Sequence, residues 1–393
     1  MACRNIYSFG HNESNLIRKG EKMNVIEYLP TLADAGAETL VKDYCILTKD
    51  RKDIHLIPIT MWGLVGSANE KKLTENGVEI ISIYGKKSKM LQIFNKVFGR
   101  IYIPLKLNRL IKQNNVEILH VHLPLLYQMR FLCKINKKIR FMYTCHNIPE
   151  HYFPNKECQE YRAAKALFSN NRLKIIALHD EMREELNELF NTDNTEVVHN
   201  AIDIERFSSC KITKEEKRKE IGIPEDAFVL GHIGRFANQK NHQFLVDVYE
   251  KVYAKNKNAF LLMIGEGELK TEIVEKLEKN NLHNYLILSK RTDVDELLRA
   301  MDVFVFPSRF EGLGIVLIEA QVSGIRCICS DAVPNDAYVS DLIYPISLET
   351  SVDEWAGIIL DDTKKIQYPN RIDSYNMKKE INKLVNLYMK KGE

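Results

Sequence analysis

Short apolar runs alternate along this chain with longer stretches in which apolar residues recur every three or four positions. Runs at Asn24–Leu29, Ile54–Ile59, Val78–Ile83, Ile118–Val121, Phe141–Thr144, Lys174–Leu178 and Glu196–Val198 have the length and composition of buried strands. Helical spacing falls between them, at Glu38–Lys49, Ile103–Gln113 and Asp180–Phe190. The pattern breaks at Asn200–Asp203, and Ser208–Thr213 is polar. It then restarts, with strands at Val229–Ile233, Phe260–Ile264, Tyr285–Leu288 and Val303–Phe306, and helices at Asn241–Ala254, Leu269–Lys279 and Val294–Ala300. A final amphipathic run, Tyr375–Lys390, places Met377, Ile381, Leu384, Leu387 and Tyr388 on one face.

Regular alternation of strand and helix predicts a parallel sheet covered by helices on both faces. The interruption predicts two of them: an α/β protein of two doubly wound, Rossmann-like domains facing across a cleft, hinged near 200–212. The expected organisation is a disordered extension at 1–22, a first domain at 23–205, a second at 206–374, and a terminal helix at 375–393 that crosses back. In such sheets ligands bind outside the carboxyl ends of the strands. The loops that follow strands are therefore where chemistry is sought.

The most informative stretch is Asp302–Ser330, DVFVFPSRFEGLGIVLIEAQVSGIRCICS. A strand ends at Pro307-Ser308, and a loop carries Glu311, Gly312 and Gly314. A helix follows from Ile315 with Glu319 inside it, Gly324 stops it, and a second strand runs to Cys329. A helix start at a strand's carboxyl end favours an anion, through free backbone N–H groups and the macrodipole. Two carboxylates beside a phosphate would be repelled by it, so Glu311 and Glu319 read as acceptors for sugar hydroxyls. The combination suggests a sugar nucleotide.

Other loops contribute candidates of different specificity. Arg235 and Lys240, five apart after a strand, can converge on one diphosphate, the first as a planar fork and the second as a point charge; surface cations are the plainer reading. His146 follows a strand in the loop TCHNIPEHYF, beside Asn147, Glu150 and His151. His120 and His122 share one strand face, but a metal site needs further ligands and no carboxylate is evident nearby, so one of them reads as a core or cleft histidine. Gly36 sits between the first strand and first helix, where a phosphate can approach closely. The dinucleotide fingerprint fails at Gly265-Glu266-Gly267, which argues against a dehydrogenase; no Walker lysine loop, H-E-x-x-H or G-x-S-x-G is present.

Composition adds three points. At 393 residues, 45% hydrophobic and 28% charged, the profile is globular. No apolar run approaches the ~20 residues of a membrane span, the N-terminus lacks the apolar core of a signal peptide, and eight scattered cysteines without a C-x-x-C pair fit a cytoplasmic protein. Cys327 and Cys329 share one strand face, as buried small hydrophobes would. The net charge of +3 conceals an excess of basic residues in 1–200, 29 Lys and Arg against 22 Asp and Glu. Between Glu79 and Glu117 there are eight basic residues and no acidic one, interleaved with Met90, Leu91, Ile93, Phe94, Val97, Phe98, Ile101 and Leu105. Such a stretch either lies on an anionic membrane surface or is a solvated helix face whose other side joins the core. No nucleic-acid motif accompanies it.

Taken together, AGAE (35–38), ILHVHLP (118–124), TCHN (144–147), HNAID (199–203), GRFANQKN (234–241), MIGEGELK (263–270) and the Asp302–Gly324 stretch resemble the retaining family 4 glycosyltransferases of GT-B fold, as found in bacterial polysaccharide biosynthesis. The resemblance implies transfer of a sugar from a UDP- or GDP-sugar to a glycan or polyprenyl-linked acceptor, without a metal or other cofactor. It assigns Arg235 and Lys240 to the donor diphosphate, Glu319 to the ribose and Glu311 to the transferred sugar. It places the backbone of Gly312, Leu313, Gly314 and Ile315 near phosphate or sugar, His146 on the donor sugar, and Lys290 and Arg291 at the base. The family's paired glycine is here Ala35-Gly36. No enzymic nucleophile is nominated; a front-face displacement, with the leaving phosphate taking the acceptor proton, fits the residues present. The implied location is the cytoplasm, peripheral to the inner face of the membrane. Two alternatives stand beside this reading: a sugar-nucleotide epimerase, for which Glu150 is the one loose acid/base candidate, and a non-catalytic sugar-nucleotide-binding subunit.

Overall fold

The structure is a computed structural model that describes residues 22–63, 65–289, 291–363 and 366–390. The expected extension at 1–22 lies outside the described residues except for Lys22, and Lys290 lies outside them too. Strands β1 (Met23–Leu29), β2 (Ile54–Thr60), β3 (Ile81–Ser82), β4 (Val116–His122), β5 (Arg140–Thr144), β6 (Leu173–Ala177) and β7 (Thr195–Val197) form one sheet, in the order β3-β2-β1-β4-β5-β6-β7. Strands β8 (Phe228–Ile233), β9 (Ala259–Ile264), β10 (Tyr285–Leu288), β11 (Val303–Phe306), β12 (Arg326–Ser330) and β13 (Ile343–Ile346) form the second, in the order β10-β9-β8-β11-β12-β13. Neighbouring strands pair in parallel throughout both sheets. The fold is therefore two Rossmann-like domains, as the alternation predicts.

Each sheet reverses its winding at the centre, between β1 and β4 and between β8 and β11. These switch points open a crevice at the strands' carboxyl ends. Strand β11 shows why the sheet forms where it does: all four residues are buried. Phe304 and Phe306 join a core with Leu317, Ile318, Cys327 and Cys329, while Val303 and Val305 face Val246 and Trp355 on the opposite side. A strand covered on both faces needs a continuous apolar run, and its period of two assigns each residue to one core.

The helix Ile315–Val322 begins after Gly314 (φ +83°) and is stopped by Gly324 (φ +81°), both in the left-handed region that favours glycine. The terminal helix Met377–Met389 buries Ile381, Leu384, Val385 and Tyr388 against Val25, Leu40 and Ile54 of the first domain.

Strand β13 and the helices Gln159–Phe168, Lys214–Ile221 and Val352–Leu360 have no counterpart in the sequence pattern, and two expected elements take a different form. The apolar run Val78–Ile83 yields only the short edge strand β3, because Val78 donates instead to Leu73 at the end of the helix Ala68–Glu75. The helix placed at Ile103–Gln113 is the second half of a 25-residue helix, Lys89–Gln113, capped by the Ser88 hydroxyl. Its second half packs inward through Ile103, Leu107 and Ile111, but its first half turns its apolar face outward. Met90 is 76% exposed, Ile93 66% and Val97 62%, so the reading in which that face joins the core is corrected. No described helix is long and apolar enough to cross a membrane.

Candidate active site

The loops after β8 and β11 meet at the switch point of the second sheet. Lys240 ends a short 3-10 turn, Asn238–Lys240, and its Nζ lies 2.6 Å from Oε1 of Glu311. The Glu311 side chain is 7% exposed and that of Lys240 16%. Gln239 holds the same loop, donating to the Phe310 carbonyl (3.0 Å) and to the second Glu311 oxygen (3.3 Å). The ammonium also sits 4.5 Å from the Phe306 ring centre, an attraction of the cation to the ring face. One carboxylate and one cation thus stand together beside the start of the helix Ile315–Val322, whose first amides have no acceptor within the helix.

The remaining donor-side candidates are placed as follows. Arg235 leaves the same loop as Lys240 but is 72% exposed and pairs with Glu268 at 3.0 Å. Leu313 is buried in the second domain's core, and Ile315 and Gly314 are half-buried at the helix start. Glu319, half-buried in the second turn, has its carboxyl pushed up to about 8 by burial, against the pull of Arg206. Arg206 is itself engaged by Asp295, with 2.9 Å from Nε to Oδ1. Arg291 follows β10 and is held by Asp293 at 2.6 Å. Gly265 and Gly267 have a packing reason: a Cβ on either would strike the backbone of Gly234 or Phe236, so they let the loops after β8 and β9 touch.

The first domain reaches this site through two segments. A Cβ on Gly312 would lie 3.1 Å from Cα of Asn147 and 3.2 Å from the His146 carbonyl. Nε2 of His179 lies 3.0 Å from the Gly312 carbonyl, while its Nδ1 accepts from the Met182 amide and caps the helix Asp180–Phe190. The second nitrogen must therefore be the donor across the cleft. His179 was not a sequence candidate, although its place immediately after a strand run and before a helix marks it. A pocket of about 280 Å³ opens here, lined among others by Ile148, His179, Glu181, Glu185, Glu311 and Asp331.

His146 itself belongs to a buried polar network. Its Nε2 lies 2.9 Å from Nδ1 of His122, whose Nε2 lies 2.7 Å from Glu27. His120 reaches Tyr388 (2.6 Å) and Thr144 (2.8 Å), and Tyr388 donates to Glu27 (2.8 Å). The carboxylate thought absent near the paired histidines is therefore present. Glu27 faces His120 across the β1–β4 pair, and all three side chains are fully buried. Burial alone would raise the Glu27 carboxyl, but attraction to His120 and hydrogen bonds from His120 and His122 outweigh it and hold it far below the ordinary range. Ligand atoms of Glu27, His120 and His122 lie within 4.8 Å of one another, close enough for a metal ion. Each ring nitrogen, however, already has a protein partner. The set fits a hydrogen-bond network better than a vacant ligand set.

Gly36 is the first residue of the helix Gly36–Thr48, two residues ahead of the predicted start. Apart from its chain neighbours and its own helix backbone, no described residue lies within 4 Å of a Cβ placed there.

A profile described as "Glycosyltransferase Family 4" matches residues 61–206, and one described as "Glycosyl transferases group 1" matches residues 213–375. The chain is 36% identical to a Bacillus subtilis protein named EpsF over 179 residues, 44% of this chain and less than half (46%) of that relative's length. It is 24% identical to the Escherichia coli UDP-Gal:alpha-D-GlcNAc-diphosphoundecaprenol alpha-1,3-galactosyltransferase over 305 residues, 72% of this chain and 78% of the relative. Among solved structures, Anabaena HepE in complex with UDP and glucose superposes with a TM-score of 0.71 at 17% identity, covering 93% of this chain and 99% of that one. With adjoining profiles over both domains and the two-domain architecture shared almost end to end, the chain belongs to the family 4 glycosyltransferases of GT-B fold.

Proposed function

We propose that the protein is a retaining glycosyltransferase that moves a hexose from a UDP- or GDP-sugar to a glycan or polyprenyl-linked acceptor in polysaccharide biosynthesis, without a divalent metal. The observation that carries this reading is the Lys240–Glu311 pair at the second switch point, beside a helix start. Phosphate needs the cation and the amides; sugar hydroxyls need the carboxylate. Support comes from HepE, solved with UDP and glucose, and from the Escherichia coli relative, whose name specifies a UDP-sugar and a diphosphoundecaprenol-linked acceptor.

In this mechanism the donor diphosphate draws Lys240 away from Glu311, which turns to a hydroxyl of the transferred hexose. Arg235 swings from Glu268 to the same diphosphate; its pair is exposed and screened by solvent, so the exchange costs little. Two protein cations then stabilise the leaving nucleotide where other enzymes use a metal ion. The bond from the anomeric carbon to the diphosphate oxygen breaks, and the bond to the acceptor oxygen forms on the same face. The acceptor proton passes to the departing phosphate. Glu319 accepts from the ribose hydroxyls, Gly36 and the amides of Gly312–Ile315 line the donor, and Arg291 borders the base. Analysis of the product's anomeric configuration after reaction in EDTA tests the scheme: retention is expected, and inversion or a strict metal requirement contradicts it.

The acceptor side of the proposal is a lipid surface. Eight of the ten large exposed hydrophobic residues among those described lie on the helix Lys89–Gln113. Beside it is an open pocket of about 500 Å³ bordered by Arg100, Tyr127, Arg130, Lys134 and Arg162. An apolar stripe flanked by cations fits the interface of an anionic bilayer.

The epimerase alternative gains one observation: Glu181 and Glu185 line the cleft pocket with Glu311. Burial and then Glu181 raise the Glu185 carboxyl, as an acid/base group would require. Conversion of the donor sugar with no acceptor present separates the two.

A further inference from the structure

The network beneath the first sheet's switch point has a direction, and it ends at an unsatisfied nitrogen. Glu27 is a fully buried carboxylate that accepts hydrogen bonds only. His122 must therefore donate to it through Nε2, over 2.7 Å. That leaves Nδ1 of His122 a lone pair, so His146 must donate to it through its own Nε2, over 2.9 Å. The remaining nitrogen, Nδ1 of His146, is then a bare acceptor. It is shielded from solvent and has no hydrogen-bond partner among the described residues. A second branch meets the same carboxylate: His120 lies between Thr144 (2.8 Å) and Tyr388 (2.6 Å), and Tyr388 donates to Glu27.

A buried acceptor without a partner calls for one. His146 lies on the segment whose backbone presses against Gly312, next to Glu311. We propose that Glu27 and His122 are positioning residues that hold His146 in its Nε2–H tautomer, so that Nδ1 accepts a hydrogen bond from a hydroxyl of the bound hexose. This inference rests on the donor reading above for the identity of the ligand, but not for the tautomer. In the opposite tautomer His146 would present an N–H and select a hydroxyl turned the other way. Glu27 thus sets hydroxyl orientation at the site from two residues behind it.

Histidine-labelled full-length protein reports the tautomer directly, through long-range ¹⁵N–¹H spectra at neutral pH, with the His146 signals assigned by their loss in His146→Gln. Protonated Nε2 and bare Nδ1 are expected. A protonated Nδ1, or one zinc ion per chain in metal analysis, overturns the proposal whatever the enzyme's substrate proves to be. In the activity arm, Glu27→Gln and His122→Asn lower turnover on the order of 10²-fold, the scale of a misoriented catalytic contact, while binding of UDP or GDP is unchanged. Tyr388→Phe cuts the branch that does not lead to His146, and its turnover stays within a few-fold of wild type. An equal loss in Tyr388→Phe would mean that the network only supports packing, which overturns the positioning role.

Discussion

Nζ of Lys240 and Oε1 of Glu311 lie 2.6 Å apart, joining the loops that leave β8 and β11 on either side of the switch point. In the proposed mechanism these two groups serve donor phosphate and donor sugar, and the ligand separates them. Lys240→Ala removes the cation from the nearly buried Glu311 carboxylate and leaves it only the longer hydrogen bond from Gln239. Loss of a partner to a buried group costs about 1–3 kcal/mol, so chemical denaturation should show a clear drop in stability together with weaker nucleoside diphosphate binding. Arg235→Ala should weaken binding while leaving stability nearly unchanged, because its pair with Glu268 is exposed.

Glu311→Ala is expected to abolish sugar transfer and leave the fold intact, since Lys240 can turn to solvent or phosphate once freed. Circular dichroism and nucleoside diphosphate titration check the fold and the phosphate half of the site. Full activity in this variant would remove Glu311 from the mechanism.

Glu319 predicts a pH dependence. Its carboxyl is pushed up to about 8 by burial, against an ordinary value of 4.5, so the folded state holds a proton that the unfolded chain releases. Stability from this group is complete below the unfolded value and is lost as pH rises through about 8. Glu319→Gln removes the penalty. Its melting temperature relative to wild type should therefore rise between pH 5 and pH 8, and a constant difference across that range would count against a buried, protonated Glu319.

The exposed face of the helix Lys89–Gln113 should bind anionic vesicles. Replacing Lys86, Lys87 and Lys89 with Glu is expected to reduce sedimentation with phosphatidylglycerol liposomes, and Phe94→Ser with Phe98→Ser to reduce it at any lipid charge. Binding unaffected by both changes would return this face to a different partner.

The two sheets were legible in the sequence because strands buried on both faces must be apolar throughout, as β11 is. The helix after it was legible at both ends because Gly314 before it and Gly324 after it answer to a positive φ. What escaped depends on distance in sequence. Glu27 and His122 are 95 residues apart, and the signal was a lone glutamate inside an apolar run, which a buried strand tolerates only with partners. His179 crosses 133 positions to Gly312. The helix Lys89–Gln113 was half seen: periodicity showed an apolar face but not that its first half faces outward, which depends on what the rest of the chain covers.

Lys240, Arg235, Glu311 and the helix start at Ile315 together make the proposed donor pocket. Thermal denaturation across UDP- and GDP-sugars, in EDTA, tests it most directly, because a ligand that binds only the folded state raises the melting temperature. A rise with at least one nucleotide sugar in wild type, lost in Lys240→Ala and reduced in Arg235→Ala, is the predicted result. No shift with any of them, or a shift unchanged in both variants, would contradict it.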